Sequence, residues 1–244
     1  MRILVIGAGG LLGSAVTQAL IDAGHVVTML ARSPVTLQAR FPAARAVLGD
    51  LRNVAMIAPA LRDVDAVYLS LSVRPDEREA EFHTETDGIA NLLAALPGTP
   101  VRRIVYLSSL VQRYLGHNGF DWWVFRVKQA ALRQLAAAPI ATTIFYPSNF
   151  MESVAHQSTV GRAVMVATGP QVANYYIAAA DYAAQVVAAL ARVVTTSEHY
   201  AVQGPQALTQ AQAAQQFVQH ARRGYLVLPV PLAALRLADR KSVV

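Results

Sequence analysis

The chain has 244 residues, 54% of them hydrophobic and 15% charged, which excludes a disordered chain and suits one α/β domain with a sizeable core. It has no cysteine, and its six histidines (25, 83, 117, 156, 199 and 220) show no H-E-x-x-H pairing, so neither a disulfide nor a metal site is expected. The formal charge of +6 comes from arginines spread along the chain rather than gathered on one stripe, which predicts an Arg-rich surface with one anionic ligand and no nucleic acid.

In chain order, Ile3–Ile6 reads as a short buried strand and Leu11–Ala23 as a helix. The run from Met1 imitates a signal peptide, and Gly9 and Gly13 stand at membrane-dimer spacing, but Gly7, Gly9, Gly10 and Gly13 break it where an inserted helix would not. It is read as the first βαβ unit of a cytoplasmic protein with no membrane partner. Val26–Ala31 and Ala46–Leu48 follow as strands, Asn53–Leu61 as a helix and Ala66–Leu71 as a fourth strand. The periodicity predicts a helix over Glu79–Leu96, with the acidic run from Asp76 to Asp87 as its solvated face. Arg103–Leu107 is a fifth strand, Asp121–Ala137 a long helix and Thr142–Tyr146 a sixth strand. After Pro147 the pattern weakens to helices over Tyr182–Arg192 and Thr209–Gln219 and a strand over His199–Val202. Alternation at this spacing predicts a doubly wound Rossmann fold with a mostly parallel sheet. The expectation is a single domain over 1–244, with a core over 1–150 and a small C-terminal substrate-side lobe over 151–244.

VIGAGGLLGSAV joins the first strand to the first helix. Gly7, Gly10 and Gly13 give G-x-x-G-x-x-G; the stricter G-x-G-x-x-G fails because position 12 is Leu. The physics is shared: the first glycine permits the tight turn, the second lets a pyrophosphate approach the backbone, and the third lets the helix pack close to the sheet. Gly7, Gly10, Leu11, Leu12 and Gly13 are therefore cofactor-binding candidates. The second strand ends in LARSP, with Arg32 and Ser33 where a binder of NAD carries Asp or Glu for the ribose 2′-hydroxyl. Arg forks onto a 2′-phosphate and Ser donates to it, so NADP(H) is expected over NAD(H). Asp50, in LGDL, either accepts from the adenine amino group or caps the next helix, and the two roles are compatible.

With these residues the chain resembles the NmrA-like atypical short-chain dehydrogenase/reductase proteins. The resemblance covers most of the chain and rests on IGAGGLLGSAV, ARSP, VLGDL, RIVYLSSL, the helix of Lys128, TTIFYPSNFMES, YYIAAADYAA and ALTQAQAAQQF. It implies a Rossmann fold with bound NADP(H), and either NADPH-dependent reduction, often of quinones, or cofactor sensing without catalysis. It implies Asp50 and Leu51 on the adenine side, and the backbone of Ser72 and Val73 near the nicotinamide ribose. It implies Ser109 as a substrate-orienting serine, Lys128 as the holder of that ribose, and Pro147, Asn149 and Phe150 in the loop closing over the nicotinamide. Relatives carry R-P-x-x-F in that loop; Tyr146 replaces the Arg here, so a charge contact is lost. Asp181 matches an acidic residue before a helix and is read as its N-cap. The terminal ADRKSVV ends abruptly for this family, which predicts an incomplete substrate-side lobe.

The departure from the wider superfamily lies at Val124, four residues before Lys128, where a Tyr would deliver the proton. Tyr114, on the loop after the fifth strand, and Tyr146, at the end of the sixth, are the candidate substitutes, and nothing in their spacing requires either to reach the cleft. Hydride addition to a simple ketone leaves an alkoxide as basic as hydroxide, whose parent water has a pKa of about 15.7. A quinone leaves a phenolate-like anion with a parent pKa near ~10, a difference of roughly 7 to 8 kcal/mol. A site without the phenol therefore suits a quinone far better than an aliphatic ketone. Phe120, Trp122, Trp123 and Phe125 either line a flat apolar pocket or, the plainer reading, pack the long helix on the sheet. The expected function is an NADPH-dependent oxidoreductase for a quinone-like small molecule, with Ser109 and Lys128 catalytic. The alternative is a non-catalytic NADP(H) sensor acting on a protein partner. A sugar-nucleotide epimerase or dehydratase is disfavoured by the missing Tyr.

Overall fold

The computed structural model describes residues 1–74, 76–221 and 224–231, so the expectation attached to ADRKSVV lies outside the described residues. The chain divides into two compact units: Met1–Pro147 with Ala180–Val202, and Ser148–Ala179 with the residues from Gln203 onward.

The first unit alternates strand and helix: β1 (Arg2–Ile6), α1 (Leu11–Asp22), β2 (Val26–Ala31), α2 (Pro34–Arg40), β3 (Arg45–Leu48), α3 (Val54–Leu61), β4 (Ala66–Leu69), α4 (Asp87–Ala95), β5 (Arg103–Leu107), a 3-10 turn (Leu110–Tyr114), α5 (Trp123–Ala137) and β6 (Ala141–Pro147). The second unit holds β7 (Asn149–Phe150), α6 (Glu152–Gln157), β8 (Thr159–Val160), β9 (Ala163–Thr168) and β10 (Asn174–Ile177). The chain continues with α7 (Ala179–Leu190) and β11 (Glu198–Val202) in the first unit, then β12 (Ala207–Leu208), α8 (Gln210–His220) and β13 (Leu226–Pro231) in the second.

Seven strands form one parallel sheet in the order β3-β2-β1-β4-β5-β6-β11. This is the doubly wound order, with the reversal between β1 and β4. β4 and β5 are buried at every residue, as continuous apolar runs covered on both faces must be. Alternation along the strands sends Leu4, Ile6, Val67, Leu69, Ile104, Tyr106, Ile144 and Tyr146 into one core with Ile57 of α3, Leu92 of α4 and Leu135 of α5. The opposite face holds Tyr68 and Phe145, which meet Tyr182 of α7.

Two sequence expectations are corrected here. The helix over Glu79–Leu96 starts only at Asp87; residues 76–86 form turns, so the acids there line no helix face, although Asp76, Glu79 and Glu81 are exposed. Glu79 pairs with Arg126, Glu77 with His83, and Glu85 is fully buried. Glu79 and Glu85 thus meet partners remote in sequence, information that helical periodicity does not carry. Asp181 is not an N-cap: α7 begins at Ala179, so Asp181 lies inside the first turn, where a carboxylate still faces the positive end of the helix dipole. α2 and the short strands β7, β8, β9, β10, β12 and β13 are additions to the expected elements.

Candidate cofactor site

The turn after β1 is set by backbone crowding. Gly7 has φ +93°, and a Cβ there would overlap the Ser70 carbonyl oxygen just beyond β4. A Cβ on Gly13 would overlap the Gly7 carbonyl oxygen, so the third glycine is what lets α1 sit against the turn. Gly10 differs: the nearest atom to a Cβ there is Gly7 O at 3.4 Å, ordinary contact. Gly9, Gly10 and Leu11 are exposed, Leu12 is half-buried, and Gly10 caps α1 without any side chain over its first N–H groups. The chain itself does not need a glycine at position 10; an anion resting on the helix N-terminus would. This cradle fits a dinucleotide pyrophosphate.

Because the sheet is parallel, the other segments named from the sequence leave strands at the same carboxyl edge. Arg32 and Ser33 follow β2; both are exposed, and Arg32 makes no hydrogen bond or ion pair among the described residues. Asp50 follows β3. It is not the cap of α3, a role taken by Asn53, whose Oδ1 accepts from Ala55 N at 2.9 Å. Asp50 instead accepts from Arg52 N at 2.9 Å, bending the chain two residues on. Leu51 is a core residue, and its carbonyl accepts from Asn91 of α4 at 2.7 Å. Ser72 and Val73 follow β4, with the Ser72 hydroxyl donating to the Val73 carbonyl at 3.1 Å.

Ser109 follows β5, half-buried, and its Oγ accepts from Val111 N at 3.3 Å, capping the 3-10 turn while its own O–H stays free to donate. Gln129 of α5 donates to the Gln112 carbonyl at 3.0 Å and so ties that turn to the Lys128 helix. Lys128 lies one turn after the half-buried Val124. Its Nζ donates to Glu85 Oε1 at 2.6 Å, and the same oxygen accepts from the Tyr106 hydroxyl at 2.7 Å. Burial first, and then the Glu85 carboxylate, hold the Tyr106 phenol well above its ordinary pKa.

The tyrosines near the departure at Val124 are both accounted for. Tyr114 is 59% exposed at the end of the 3-10 turn. Tyr146 is buried on the same face as Tyr106, its hydroxyl 2.9 Å from His199 Nδ1, and burial raises its pKa. The Arg113 guanidinium of the 3-10 turn lies 4.7 Å from the Tyr146 ring centroid, a cation–π contact. The aromatic cluster does not pack α5 on the sheet, which uses Val127, Ala131 and Leu135. Trp122 is 53% exposed and meets Phe125, which also meets Phe120, while Trp123 lies against His83.

Pro147 closes β6 in the first unit. In the second, Asn149 and Phe150 form β7 and pair with Tyr176 and Ile177 of β10, Phe150 being buried. There Asn149, Ser153, Ser158, Asn174 and Gln210 line a polar hollow of about 230 Å³. Among the described residues no cluster of acids and histidines could hold a metal, and no helix is long and apolar enough to cross a membrane.

Sequence reasoning missed Glu85, Tyr106 and Arg113. Glu85 stands at i, i+4, i+7 spacing with Ile89 and Leu92, and all three are fully buried, but it precedes α4, so spacing alone did not mark it.

The NAD(P)H-binding family matches residues 7–192. The first curated relatives include an uncharacterised protein of Mycobacterium tuberculosis, 33% identical over 52% of this chain. Another M. tuberculosis relative, a 3 beta-hydroxysteroid dehydrogenase/Delta 5-->4-isomerase, is 31% identical over 44% of this chain. The chain spans 14% and 31% of their lengths. A (4-alkanoyl-5-oxo-2,5-dihydrofuran-3-yl)methyl phosphate reductase of Streptomyces griseus is 30% identical over 85% of this chain and 69% of its own. The Photosystem II assembly factor Ycf39 of Synechocystis is 26% identical over 97% of this chain and 72% of its own. Among solved structures, a UDP-glucose-4-epimerase of Stenotrophomonas maltophila with bound NAD superimposes with TM-score 0.78 at 19% identity, covering 98% of this chain and 92% of that one. With the glycine turn, the strand order and these matches together, the chain belongs to the NAD(P)H-binding family and has the Rossmann fold of the NmrA-like atypical short-chain dehydrogenase/reductase proteins.

Proposed function

We propose that the protein binds NADP(H) in preference to NAD(H) and uses it to reduce a quinone-like or related electrophilic small molecule. The observation that carries this reading is the company Lys128 keeps. Val124 stands one turn before it, and the tyrosine that reaches the same carboxylate, Tyr106, is fully buried with its hydroxyl given to Glu85. NADPH, when bound, supplies a hydride. The chain must then manage the charge left on the substrate oxygen, and a sealed phenol has no path to it. The Ser109 hydroxyl, free to donate, is the group we assign to that oxygen; it suits a delocalised anion and falls short for an alkoxide. Gly7, Gly10, Leu11, Leu12 and Gly13 would hold the pyrophosphate, Arg32 and Ser33 the 2′-phosphate, and Asp50 and the Leu51 backbone the adenine side. Ser72, Val73 and Lys128 would hold the nicotinamide ribose, with Pro147, Asn149 and Phe150 on the nicotinamide. A single domain with a small substrate-side lobe remains our reading of how the chain works as a whole. The Streptomyces relative, named as a reductase of a substrate with an acyl group on an unsaturated ring, supports hydride delivery to an activated acceptor.

The test is NADPH consumption across a panel of quinones and aliphatic ketones. Quinone turnover with ketones near background is expected, and Ser109→Ala should lower turnover while leaving NADPH affinity intact. Ketone reduction at the quinone rate would overturn the reading. Tight NADPH binding with no turnover on any acceptor selects the sensor instead, a role that the likeness to an assembly factor over 97% of this chain supports.

A further inference from the structure

We propose that Glu85 is a positioning residue for the cofactor: it holds the Lys128 ammonium in one direction and cancels its charge. This rests on the reading above, in which Lys128 meets the nicotinamide ribose. Three elements converge on one oxygen: Glu85 from the turn before α4, Tyr106 from β5 and Lys128 from α5. The Glu85 side chain is 0% exposed and that of Lys128 12%. A carboxylate so enclosed is tolerated only if its charge is compensated, and here both donors sit on Oε1. Oε2 is equally buried and has no partner, so compensation falls on Lys128 and the Tyr106 hydroxyl. Since Oε2 is sealed, Glu85 does not touch a ligand; it acts through Lys128.

The choice of lysine is itself informative. Lys128 and Lys241 are the two lysines of a chain with 21 basic residues. An ammonium has three N–H groups, and with one spent on Glu85 two remain for a vicinal diol, whereas the planar fork of Arg would not fit behind a single carboxylate oxygen. The pairing also changes what Lys128 contributes. A free ammonium beside a phenol makes it a stronger acid, but no phenol stands at Val124, and the neutralised pair leaves Lys128 as a directional donor.

The test uses the full chain with 13C- and 15N-labelled lysine, which yields two side-chain signals; Lys241→Arg identifies the one from Lys128. In Glu85→Gln, Lys128 loses its counter-ion while still partly buried, so its signal should titrate at lower pH than in wild type. NADPH affinity, read by nicotinamide fluorescence, should fall about fivefold, and further as pH rises through the new titration. Glu85→Asp keeps the charge but withdraws the carboxylate, so affinity should fall with little change in titration, and this variant serves if the Gln protein does not fold. An unmoved Lys128 titration in folded Glu85→Gln overturns the proposal while leaving the cofactor reading intact. A moved titration with unchanged NADPH affinity at every pH also overturns it, since the pair is then structural only. Wild type that binds no NADPH sinks the cofactor reading, and this proposal's cofactor role with it, even if the titration moves.

Discussion

The glycines of the first turn look alike in sequence and differ in what they do. Gly7 and Gly13 face backbone oxygen, so a methyl group at either must displace chain, whereas one at Gly10 would meet Gly7 O at ordinary contact distance. Gly13→Ala is expected to cost roughly 1 to 3 kcal/mol or more, by overpacking against unyielding backbone. Gly10→Val should fold with close to wild-type stability and lose NADPH binding. Denaturant titration and a fluorescence titration on the same two proteins separate the outcomes; a folded Gly10→Val that binds NADPH normally would falsify the cradle. This distinction is not legible in the sequence. The spacing marks three glycines, but only the positions of the Ser70 and Gly7 carbonyls tell which of them serve the fold.

The segment between β4 and α4 is where sequence and structure part most clearly. β2 and β5 run as expected over Val26–Ala31 and Arg103–Leu107, because a parallel strand buried on both faces is a continuous apolar run bounded by polar residues. The acidic run instead forms turns held by side chains. His83 is buried there, with Nδ1 3.0 Å from Glu77, Nε2 3.1 Å from the Glu79 carbonyl, its own N–H on Asp87 and its ring against Trp123. Burial lowers the His83 pKa, but Glu77, the Glu79 carbonyl and Asp87 together outweigh it and the net shift is upward. A raised folded pKa means stability that is fully present below the unfolded value of about 6.5 and is lost as pH rises through the folded value. His83→Gln should therefore melt further below wild type at pH ~5.5 than at pH ~8.5. Thermal melts of both proteins across that range check it; a constant gap would show that the imidazolium is not involved. Helical periodicity suggested a longer helix because it reads spacing and not partners.

At the scale of the molecule, the doubly wound parallel sheet was legible from alternation, since each βα repeat announces itself in apolar spacing and turn residues, whereas β11 joins it as a seventh strand by pairing with β6, which spacing does not show. In the second unit α8 was legible but the small strands were not: β7, β8 and β12 have two residues each, too short for any period, and exist through register with β10 and β9. The cofactor candidates read from local pattern all leave strands at one sheet edge, whereas Glu85 and Arg113 became visible only once distant segments were side by side. Cofactor binding should appear as stability of the whole protein. NADPH at 100 times its Kd adds about 2.7 kcal/mol, which for a protein of this size raises Tm by roughly 5 to 10 °C. NADH at the same concentration should do much less, and Arg32→Ala should erase the difference by removing about 1.5 to 3 kcal/mol from the NADPH side alone. Equal melting shifts from the two cofactors in wild type would refute the 2′-phosphate role of Arg32.

The turn at Gly7 carries a consequence for how this protein can change. There β1, the start of α1 and the residue after β4 meet carbonyl to Cα, with Ser70 Cβ the one side-chain atom among the nearest contacts of Gly7 and Gly13. Packing elsewhere adjusts when a methylene is added or removed, but this junction has nothing to repack: its dimensions are those of the peptide unit itself. The place where phosphate would rest is thus insulated from drift in the core. Substitutions throughout the sheet can reshape the substrate end while the nucleotide end keeps its geometry, as a vice keeps its jaw spacing whatever is fitted to the bench around it.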